Sequence, residues 1–460
     1  MIHPIFSKIL LLSLIWQIQA SSLAADSGSV LTAENNDTQV RFVRTIEGVQ
    51  EYQLKNGLQI LLMPDFKSSL YVVNLVYRTG SAGELEGGTG LAHMFEHFVA
   101  QRSSLLYPRL AEDLKAKHIN RLGITSSDYT YYRTNYITSR KELEWVLDLD
   151  AERMSQFNYS EDSLKTVLQE VYEEIDNTIS KHDASLLRKT VIAMRPGQVS
   201  GRDILGKKSD LANVNLDKLK AFWQSYYRPD NASLIVAGNF DVAEMLQLIQ
   251  ARFASIPKPE SALKRRRFED MAQISAQEIS ISYKRTAPGI ISAYRVAPFG
   301  SPDFVAVYLI ARILDQRRIA KKSTDSAIEE KIAAFVTPYL DDSILAFRSI
   351  LPYGSGNLLP DARGRLLSLE TEILEHPFTQ DELDRAKVVM AKAFQSRKND
   401  ADRYVESFPL HMVANDWSWN FTFRDKTEKI SLEKVQSLAQ QWLMPKNRTM
   451  AFLREDEAAQ

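Results

Sequence analysis

Two histidines and one glutamate lie close together in the segment His93-Met94-Phe95-Glu96-His97. In a helix, residues four apart share one face, so His93 and His97 can bind one metal ion with Glu96 beside it. Imidazole nitrogens are common zinc ligands, and a neighbouring carboxylate can act as a general base. The order His-x-x-Glu-His therefore predicts a zinc site that supports hydrolysis of peptide bonds.

The residues around this motif favour a helix that packs on an apolar core. A polar, glycine-rich stretch ends at Gly90, and apolar side chains then recur with helical spacing, at Leu91, Ala92, Phe95, Phe98 and Val99. A chance occurrence of the motif is the alternative interpretation. Because the chain has only seven histidines, such an occurrence is rare, and the functional interpretation is preferred.

The composition is that of an ordinary globular protein. The chain has 460 residues, of which 25% are charged and 44% hydrophobic, so it can form two or more cores. A formal net charge of -1 offers no general basic surface for nucleic acid or an anionic membrane. The one basic run, at 264–267, is typical of a solvated linker.

Residues 1–24 are typical of a cleaved secretory signal peptide, because Lys8 precedes an apolar run that small residues follow up to Ala24. We therefore expect a periplasmic or secreted protein with no membrane span after cleavage; a retained anchor is the alternative. The chain has no cysteine, which excludes disulfides and thiolate ligands and leaves histidines and carboxylates to bind zinc. The lack of cysteine also fits a bacterial periplasm.

The chain contains an internal repeat. The residues Asn215-Leu216-Asp217-Lys218-Leu219 and the later turn at Pro229 and Asn231 recur near Ser431, Pro445 and Asn447, offset by 216 residues. Each copy predicts a capped helix, a Pro-Asn turn and a buried strand. The chain is therefore expected to consist of two homologous halves.

These patterns predict an α+β fold with two homologous domains, each a mainly antiparallel sheet packed with helices. The predicted parts are a signal peptide at 1–24, a metal-binding domain at 38–257, a linker at 258–277 and a second domain at 278–456. Predicted strands include 52–54 and 58–63, joined by the turn Asn56-Gly57, and 278–283 and 290–296. The helix predicted at 304–314 has no histidine, so we expect no metal site in the second domain.

A catalytic zinc site needs a third protein ligand besides the two histidines. The helix predicted at 164–175 offers three candidates, Glu170, Glu173 and Glu174. Without the upstream motif, these glutamates would be interpreted as the solvated face of a helix. Residue types alone leave the choice among the three open.

The sequence resembles the pitrilysin (insulinase, M16) zinc metallopeptidase family, and within it the short-chain branch similar to mitochondrial processing peptidases. The resemblance covers about residues 40–455 and rests on the stretches Gly90 to His97, Thr125 to Tyr132, Ala151 to Met154, Val171 to Glu174, and Tyr-Tyr-x-Pro-x-Asn-Ala from Tyr226. In that family the third ligand is a glutamate 77 positions after the second histidine, which implies Glu174, with Glu170 as the alternative.

The resemblance implies a zinc endopeptidase that acts on peptides or small unfolded proteins. Zn²⁺ held by His93, His97 and Glu174 would activate a water molecule and polarise the scissile carbonyl, and Glu96 would act as general base. The segment Thr125 to Tyr136 resembles the edge strand on which the family binds extended substrates. A non-catalytic scaffold or assembly subunit with the same fold is the alternative.

Several positions depart from the family pattern. Leu122 stands where an asparagine usually helps to bind the substrate backbone, and Val167 where a glutamate supports a zinc ligand. The segment 98–102 lacks the usual Gly-Thr. The places of a substrate-clamping Arg-Tyr pair look like Ile328 and Phe335, which cannot donate the required hydrogen bonds. We therefore expect the zinc-bearing subunit of a heterodimer, whose homologous partner supplies the Arg-Tyr pair.

Overall fold

The structure is a computed structural model that describes residues 39–104, 106–180, 182–196, 198, 201–263, 273–283, 287–320, 331–414 and 416–455. The predicted signal peptide, the basic run at 264–267 and Ile328 lie outside the described residues. Everything described below belongs to one compact unit, which begins at residue 39. In the described ranges, no helix combines the length and the apolar character that crossing a membrane requires.

A seven-stranded sheet forms the framework of the first half. Its strands are β1 (Val40–Ile46), β2 (Val49–Leu54), β3 (Gln59–Pro64), β4 (Tyr71–Tyr77), β5 (Asn120–Thr125), β6 (Thr130–Ile137) and β7 (Ala232–Gly238). The order across the sheet is β1-β2-β3-β7-β4-β6-β5, with β3 and β7 parallel and the other neighbours antiparallel. Every residue of the central β7 is buried, as expected for a continuous apolar run covered on both faces.

Eight helices accompany this sheet in the described residues. They are α1 (Leu91–Gln101), α2 (Leu110–Ala116), α3 (Arg140–Ser155), α4 (Glu161–Ser180), α5 (His182–Met194), α6 (Lys208–Leu211), α7 (Leu216–Tyr226) and α8 (Val242–Phe253). The apolar faces of α1, α3, α4, α7 and α8 form one core with one face of the sheet. The predicted apolar face of α1 is confirmed, because Leu91, Ala92, Phe95, Phe98 and Val99 are all buried.

The second half repeats the central part of this architecture. Its strands are β8 (Gln277–Tyr283), β9 (Gly289–Val296), β10 (Lys331–Thr337), β11 (Ser343–Ile350) and β12 (Arg448–Glu455), in the order β10-β11-β9-β12-β8. Its helices are α9 (Phe304–Ala320), α10 (Leu359–Glu375), α11 (Gln380–Lys398), α12 (Ala401–Glu406), α13 (Phe408–Val413), α14 (Trp419–Lys429) and α15 (Leu432–Trp442). The order β8-β12-β9-β11-β10 corresponds to β3-β7-β4-β6-β5, so β1 and β2 have no counterpart in the described second sheet.

The predicted repeat is visible in matching hydrogen bonds. Asn215 caps α7 by accepting the N–H of Lys218, and Ser431 caps α15 by accepting the N–H of Lys434. After each helix, the side-chain amide of an asparagine donates to a carbonyl at the helix end, Asn231 to Tyr226 and Asn447 to Trp442. Equivalent turns therefore lead from α7 to β7 and from α15 to β12.

The two halves exchange helices across their sheets. Phe408 and Trp417, from the region of α12 to α14, pack on the outer face of the first sheet, against Val72 and Ile235. Reciprocally, side chains of α5 pack on the second sheet. The indole N–H of Trp417, only 1% exposed, also donates to Glu51 on β2 at 2.7 Å. Each sheet thus has one face covered by helices of its own half and the other face covered by side chains from the other half of the same chain.

The prediction for the edge strand is wrong in its bounds. The segment Thr125 to Tyr136 is not one strand: it turns at 126–129, where the N–H of Ser126 donates to the carbonyl of Tyr129. The edge of the first sheet is β5, and the Tyr- and Thr-rich β6 lies inside, between β4 and β5. Alternating Tyr and Thr suit any pleated strand, so this pattern could not separate an edge strand from an inner one.

Candidate metal centre

The helix α1 begins at a tight glycine turn and is capped by a buried carboxyl group. Gly90 has φ 92°, and a side chain there would collide with the backbone oxygen of Leu205 at 2.9 Å. Glu84 accepts the N–H groups of Gly90 and Ala92 through Oε1, at 3.0 and 2.9 Å. These bonds satisfy two of the amide groups that a helix start leaves without an internal partner. The first turn of α1 is thereby fixed, and with it the position of His93.

His93 and His97 lie on one face of α1, as their spacing predicted. Their ring centroids are 4.9 Å apart and the rings are nearly perpendicular, at 85°. The intervening Met94 and Phe95, and Phe98 in the next turn, are completely buried in the core. Packing of the apolar face therefore leaves the two imidazoles at the boundary between the core and solvent.

Glu174 on α4 completes a three-residue cluster. One of its oxygens, Oε2, lies 3.3 Å from Nε2 of His93 and 3.5 Å from Nε2 of His97. One ligand atom from each of the three residues lies within 4.8 Å of the others. The buried Val167 and Val171 anchor α4 in the core, which presents Glu174 to α1. In the described part of the chain, this is the one group of histidines and carboxylates that could hold a metal ion.

The other two candidate glutamates point elsewhere. Glu170 approaches the opposite nitrogen of His97, with Oε2 3.4 Å from Nδ1, and not the point where both Nε2 atoms converge. Glu173 is exposed and accepts a hydrogen bond from Gln169 on its own helix. Of the three candidates that residue types alone left open, Glu174 is therefore the one whose carboxylate lies beside both Nε2 atoms.

The electrostatics of the cluster suit a divalent cation. Hydrogen bonds with His93 and His97 hold the pKa of Glu174 well below its usual range. Burial opposes charge on His97, but its hydrogen bond with Glu174 and the charge of Glu96 raise the pKa of His97 overall. Positive charge is thus favoured where the three groups meet. The side chain of Glu174 is 44% exposed, so one side of the cluster is open, as catalytic zinc sites require.

Glu96 lies between α1 and the edge strand β5. Burial raises the pKa of its carboxyl group, against the opposing charges of His93 and His97. The hydroxyl of Thr125 donates to Glu96 Oε2 at 3.0 Å. Gly123 makes this close approach possible, because a Cβ atom there would lie 2.5 Å from Cγ of Glu96. The edge strand therefore both accommodates and orients the candidate general base.

Three features of this centre were missed by sequence reasoning. The cap by Glu84 comes from seven positions before α1, whereas recognisable capping boxes span three. The roles of Gly123 and Thr125 depend on the approach of β5 to α1, which is a long-range contact. A glycine inside a strand often marks a close approach of other atoms, but Gly123 precedes the predicted strand 125–136, so this signal did not apply.

The departures from the family pattern have clear positions where the structure describes them. Leu122 is half-buried on β5, and Val167 is completely buried in the core. Phe335 lies on β10, where the guanidinium of Arg348 covers its ring at 5.6 Å. It offers no hydrogen-bond donor, so the expectation that a partner supplies the clamp stays a prediction.

Known proteins are similar to this chain over most of its length. A family model described as the Peptidase M16 inactive domain matches residues 213–390. Over 420 residues the chain is 23% identical to the zinc protease PqqE of Helicobacter pylori, which covers 87% of this chain and 91% of that protein. It is also 21% identical over 423 residues to the beta subunit of the mitochondrial-processing peptidase of Lentinula edodes. This match covers 86% of this chain and 88% of that protein.

Solved structures share the fold. A protease from Helicobacter pylori matches with a TM-score of 0.78 and 22% identity, covering 88% of this chain and 99% of that one. The periplasmic protease PqqL from Escherichia coli matches with a TM-score of 0.75 and 19% identity, over 91% of this chain. The match spans about half of that protease, 49% of its chain. The predicted fold class and the family resemblance are confirmed.

Proposed function

We propose that this chain, which is similar to M16 zinc proteases over most of its length, is an exported zinc-dependent endopeptidase acting on peptides or small unfolded proteins. The convergence of His93, His97 and Glu174 within 4.8 Å, beside Glu96, carries the proposal. The similarity to a zinc protease over most of the chain supports it.

The chain's own residues divide the chemistry between them. Zinc held by His93, His97 and Glu174 would polarise the scissile carbonyl and make a water molecule acidic enough to lose its proton near neutral pH. Glu96 accepts that proton as general base and later donates it to the leaving amine. Because burial raises the pKa of Glu96, its carboxylate is a stronger base than an exposed glutamate. The hydroxyl of Thr125 keeps it in a fixed orientation.

The substrate is an extended peptide that lies along β5. This strand forms one edge of the described first sheet, so its outer backbone groups can pair with another strand. Ile124 is 39% exposed on it and Thr125 contacts the base, so a peptide on this edge passes directly beside Glu96. Main-chain pairing favours unfolded chains of varied sequence over one defined motif.

The chain acts as the zinc-bearing subunit of a pair, and a homologous partner supplies the Arg-Tyr clamp. Phe335, at the expected tyrosine position, cannot donate a hydrogen bond, which supports this division. A similar protein is a beta subunit by name, and another similar protease is about twice as long as this chain. Purified chain whose cleavage rate does not change when a homologous partner is added would contradict the paired arrangement.

A non-catalytic scaffold subunit is the second candidate function. The match to a domain described as inactive and the missing clamp at Phe335 favour it. The intact Glu96 beside two histidines favours the peptidase, because a scaffold does not need a base at that place.

Substitution of Glu96 by glutamine tests the proposed function. We expect zinc content to stay at one ion per chain and cleavage of an unfolded protein to be lost, since the amide cannot accept the proton. Glu173→Gln is the matched control on α4, because Glu173 is exposed and accepts a hydrogen bond from Gln169 on its own helix. Zinc binding without cleavage in either the wild type or the variant, with a homologous partner present, would identify a scaffold instead.

Export is tested separately from catalysis. In a bacterial host, we expect the mature chain in the periplasmic fraction, with an N-terminus near residue 25 by mass spectrometry. A full-length chain retained in the membrane fraction would contradict a cleaved signal peptide.

A further inference from the structure

We propose that Glu170 and Arg102 form a positioning pair that holds His97 in the orientation and tautomer needed to bind the metal. The proposal deepens, and rests on, the zinc function proposed above. It assigns a role to two residues whose neighbours in sequence depart from the family pattern.

The two ring nitrogens of His97 face two carboxylates of the same helix. Nε2 lies 3.5 Å from Glu174, whereas Nδ1 lies 3.4 Å from Oε2 of Glu170, one turn earlier on α4. A carboxylate beside Nδ1 favours the tautomer with a proton on that nitrogen. The lone pair of Nε2 is then available to the metal, and the ring cannot flip without losing the contact.

Arg102 fixes the carboxylate of Glu170 in turn. Its Nη2 donates to the other oxygen of Glu170, Oε1, at 2.5 Å. The side chains are 23% and 34% exposed, so the ion pair is partly shielded from solvent. The backbone of Arg102 is held at both ends: its N–H donates to Phe98 at the end of α1, and its carbonyl accepts from the buried Arg153. These two hydrogen bonds fix the backbone from which the guanidinium group extends.

The pair accounts for two departures from the family at once. Val167, where the resemblance expects a supporting glutamate, is completely buried and cannot hydrogen-bond to a ligand. Glu170 lies three residues further along α4, on the same helix face. Arg102 lies in the segment that lacks the expected Gly-Thr. The support lost at Val167 is thus supplied from the next turn, and Arg102 is the residue that makes this possible.

The support is specific to one ligand. His93 has its Nδ1 buried without a hydrogen-bond partner in the described residues, so no carboxylate orients that ring through its Nδ1. Removal of Glu170 should therefore act through His97 alone, and it should change metal binding without disturbing the core.

Zinc affinity of the full-length chain, measured by competition with a chromophoric chelator, tests the pair. We expect Glu170→Gln to weaken zinc binding about 10-fold to 100-fold, the usual effect of removing a carboxylate that orients a histidine ligand. Arg102→Gln should weaken it less, about 3-fold to 10-fold, because Glu170 stays in place but is less ordered. In the double variant, the loss should equal that of Glu170→Gln, since Arg102 acts only through Glu170.

Glu173→Gln is the matched control, with the same change of charge three residues away, and its affinity should equal that of the wild type. The thermal unfolding temperatures of the metal-free proteins should agree within a few degrees for all variants. This result would separate an effect on the orientation of His97 from a folding defect. An affinity of Glu170→Gln within 2-fold of the wild type would overturn the inference, as would a full effect of Arg102→Gln in the Glu170→Gln background. A wild-type chain that binds no zinc would overturn both this inference and the proposed function. If the wild type binds zinc and Glu170→Gln binds it with the same affinity, the inference alone is overturned.

Discussion

Each half of the molecule packs one helix against the edge strand of its sheet, but among the described residues only the first half has a group there that could hold a metal ion. In the first half, α1 lies against β5; in the second, α9 lies against β10 in the corresponding place. The surface that holds His93, Glu96 and His97 on α1 carries Tyr308, Arg312 and Asp315 on α9. The apolar cores give both halves the same framework. The halves differ in a few side chains between the helix and the edge strand, and these side chains determine whether a metal ion could bind there.

The two boundaries also differ in how closely helix and strand approach. Gly123 on β5 lets the side chain of Glu96 reach the strand. On β10 the corresponding stretch has the side chains of Ala334, Phe335 and Val336, and a cavity of about 210 Å³ lies between strand and helix. The two halves therefore differ both in the side chains at this place and in how closely the strand backbone approaches the helix.

Removal of a candidate metal ligand should produce the largest effect, because it removes the feature that distinguishes the first half from the second. We expect His93→Ala to weaken zinc binding by more than about 100-fold, because two ligands cannot replace the tetrahedral set of three and a water. His376→Ala, at an exposed histidine of the second half, is the control and should bind zinc like the wild type. Equal zinc binding by His93→Ala and the wild type, by elemental analysis after dialysis, would show that the ion binds elsewhere.

Closing the gap at Gly123 should make the first boundary resemble the second. In Gly123→Val, a Cβ only 2.5 Å from Cγ of Glu96 must push that side chain away, while valine suits the strand. We expect kcat/KM for an unfolded peptide to fall about 100-fold, as for a base displaced by about 1 Å, with zinc content unchanged. Wild-type kcat/KM in the variant would mean that the contact between Glu96 and β5 does not matter for the reaction.

The framework was more accessible to sequence reasoning than the contacts within it. The 216-residue repeat predicted that the chain consists of two similar halves. The hairpin at Asn56-Gly57 joins β2 and β3 as expected, with Gly57 at φ 97°. These features follow from local patterns of turns, caps and apolar residues. Family spacing implied Glu174 as the third ligand, and its carboxylate lies beside both histidines. That it binds a metal stays a prediction.

The contacts that escaped prediction are those set by tertiary packing. Local sequence could not reveal that β5, and not β6, forms the edge of the sheet, because strand neighbours are chosen by pairing with distant segments. The cap by Glu84 and the pair of Arg102 with Glu170 join residues whose approach depends on how a loop and α4 pack on α1. Each of these contacts crosses between elements, where pattern rules have no information.

The starts of α1 and α9 should differ in their response to pH. Burial raises the pKa of Glu84, which caps α1, to about 8, whereas Asp303 at the start of α9 is partly exposed and pairs with Lys434. Because the folded pKa exceeds the ordinary 4.5, the contribution of Glu84 to stability is present below pH 4.5 and is lost as pH rises through 8. Relative to Glu84→Gln, the wild type should lose roughly 2 kcal/mol of unfolding free energy between pH 6 and pH 9.

Urea unfolding at a series of pH values measures this loss. Glu86→Gln, at an exposed neighbour in the same loop, should keep the wild-type pH dependence. Parallel pH profiles of the wild type and Glu84→Gln would mean that the cap ionises like an exposed carboxyl group, and the contrast with α9 would disappear.

The smallest effect is expected at the cavity of the second half. Arg312 lies 3.8 Å from Asp315, with its side chain 45% exposed, so this ion pair is weak and well hydrated. Arg312→Ala should change the unfolding free energy by less than about 1 kcal/mol and leave zinc affinity unchanged, because Arg312 is not among the residues that would hold the ion. Cleavage of an unfolded protein should stay within about 2-fold of the wild type. A 10-fold loss of cleavage with zinc affinity intact would mean that substrate contacts α9, and the second boundary would then have a function of its own.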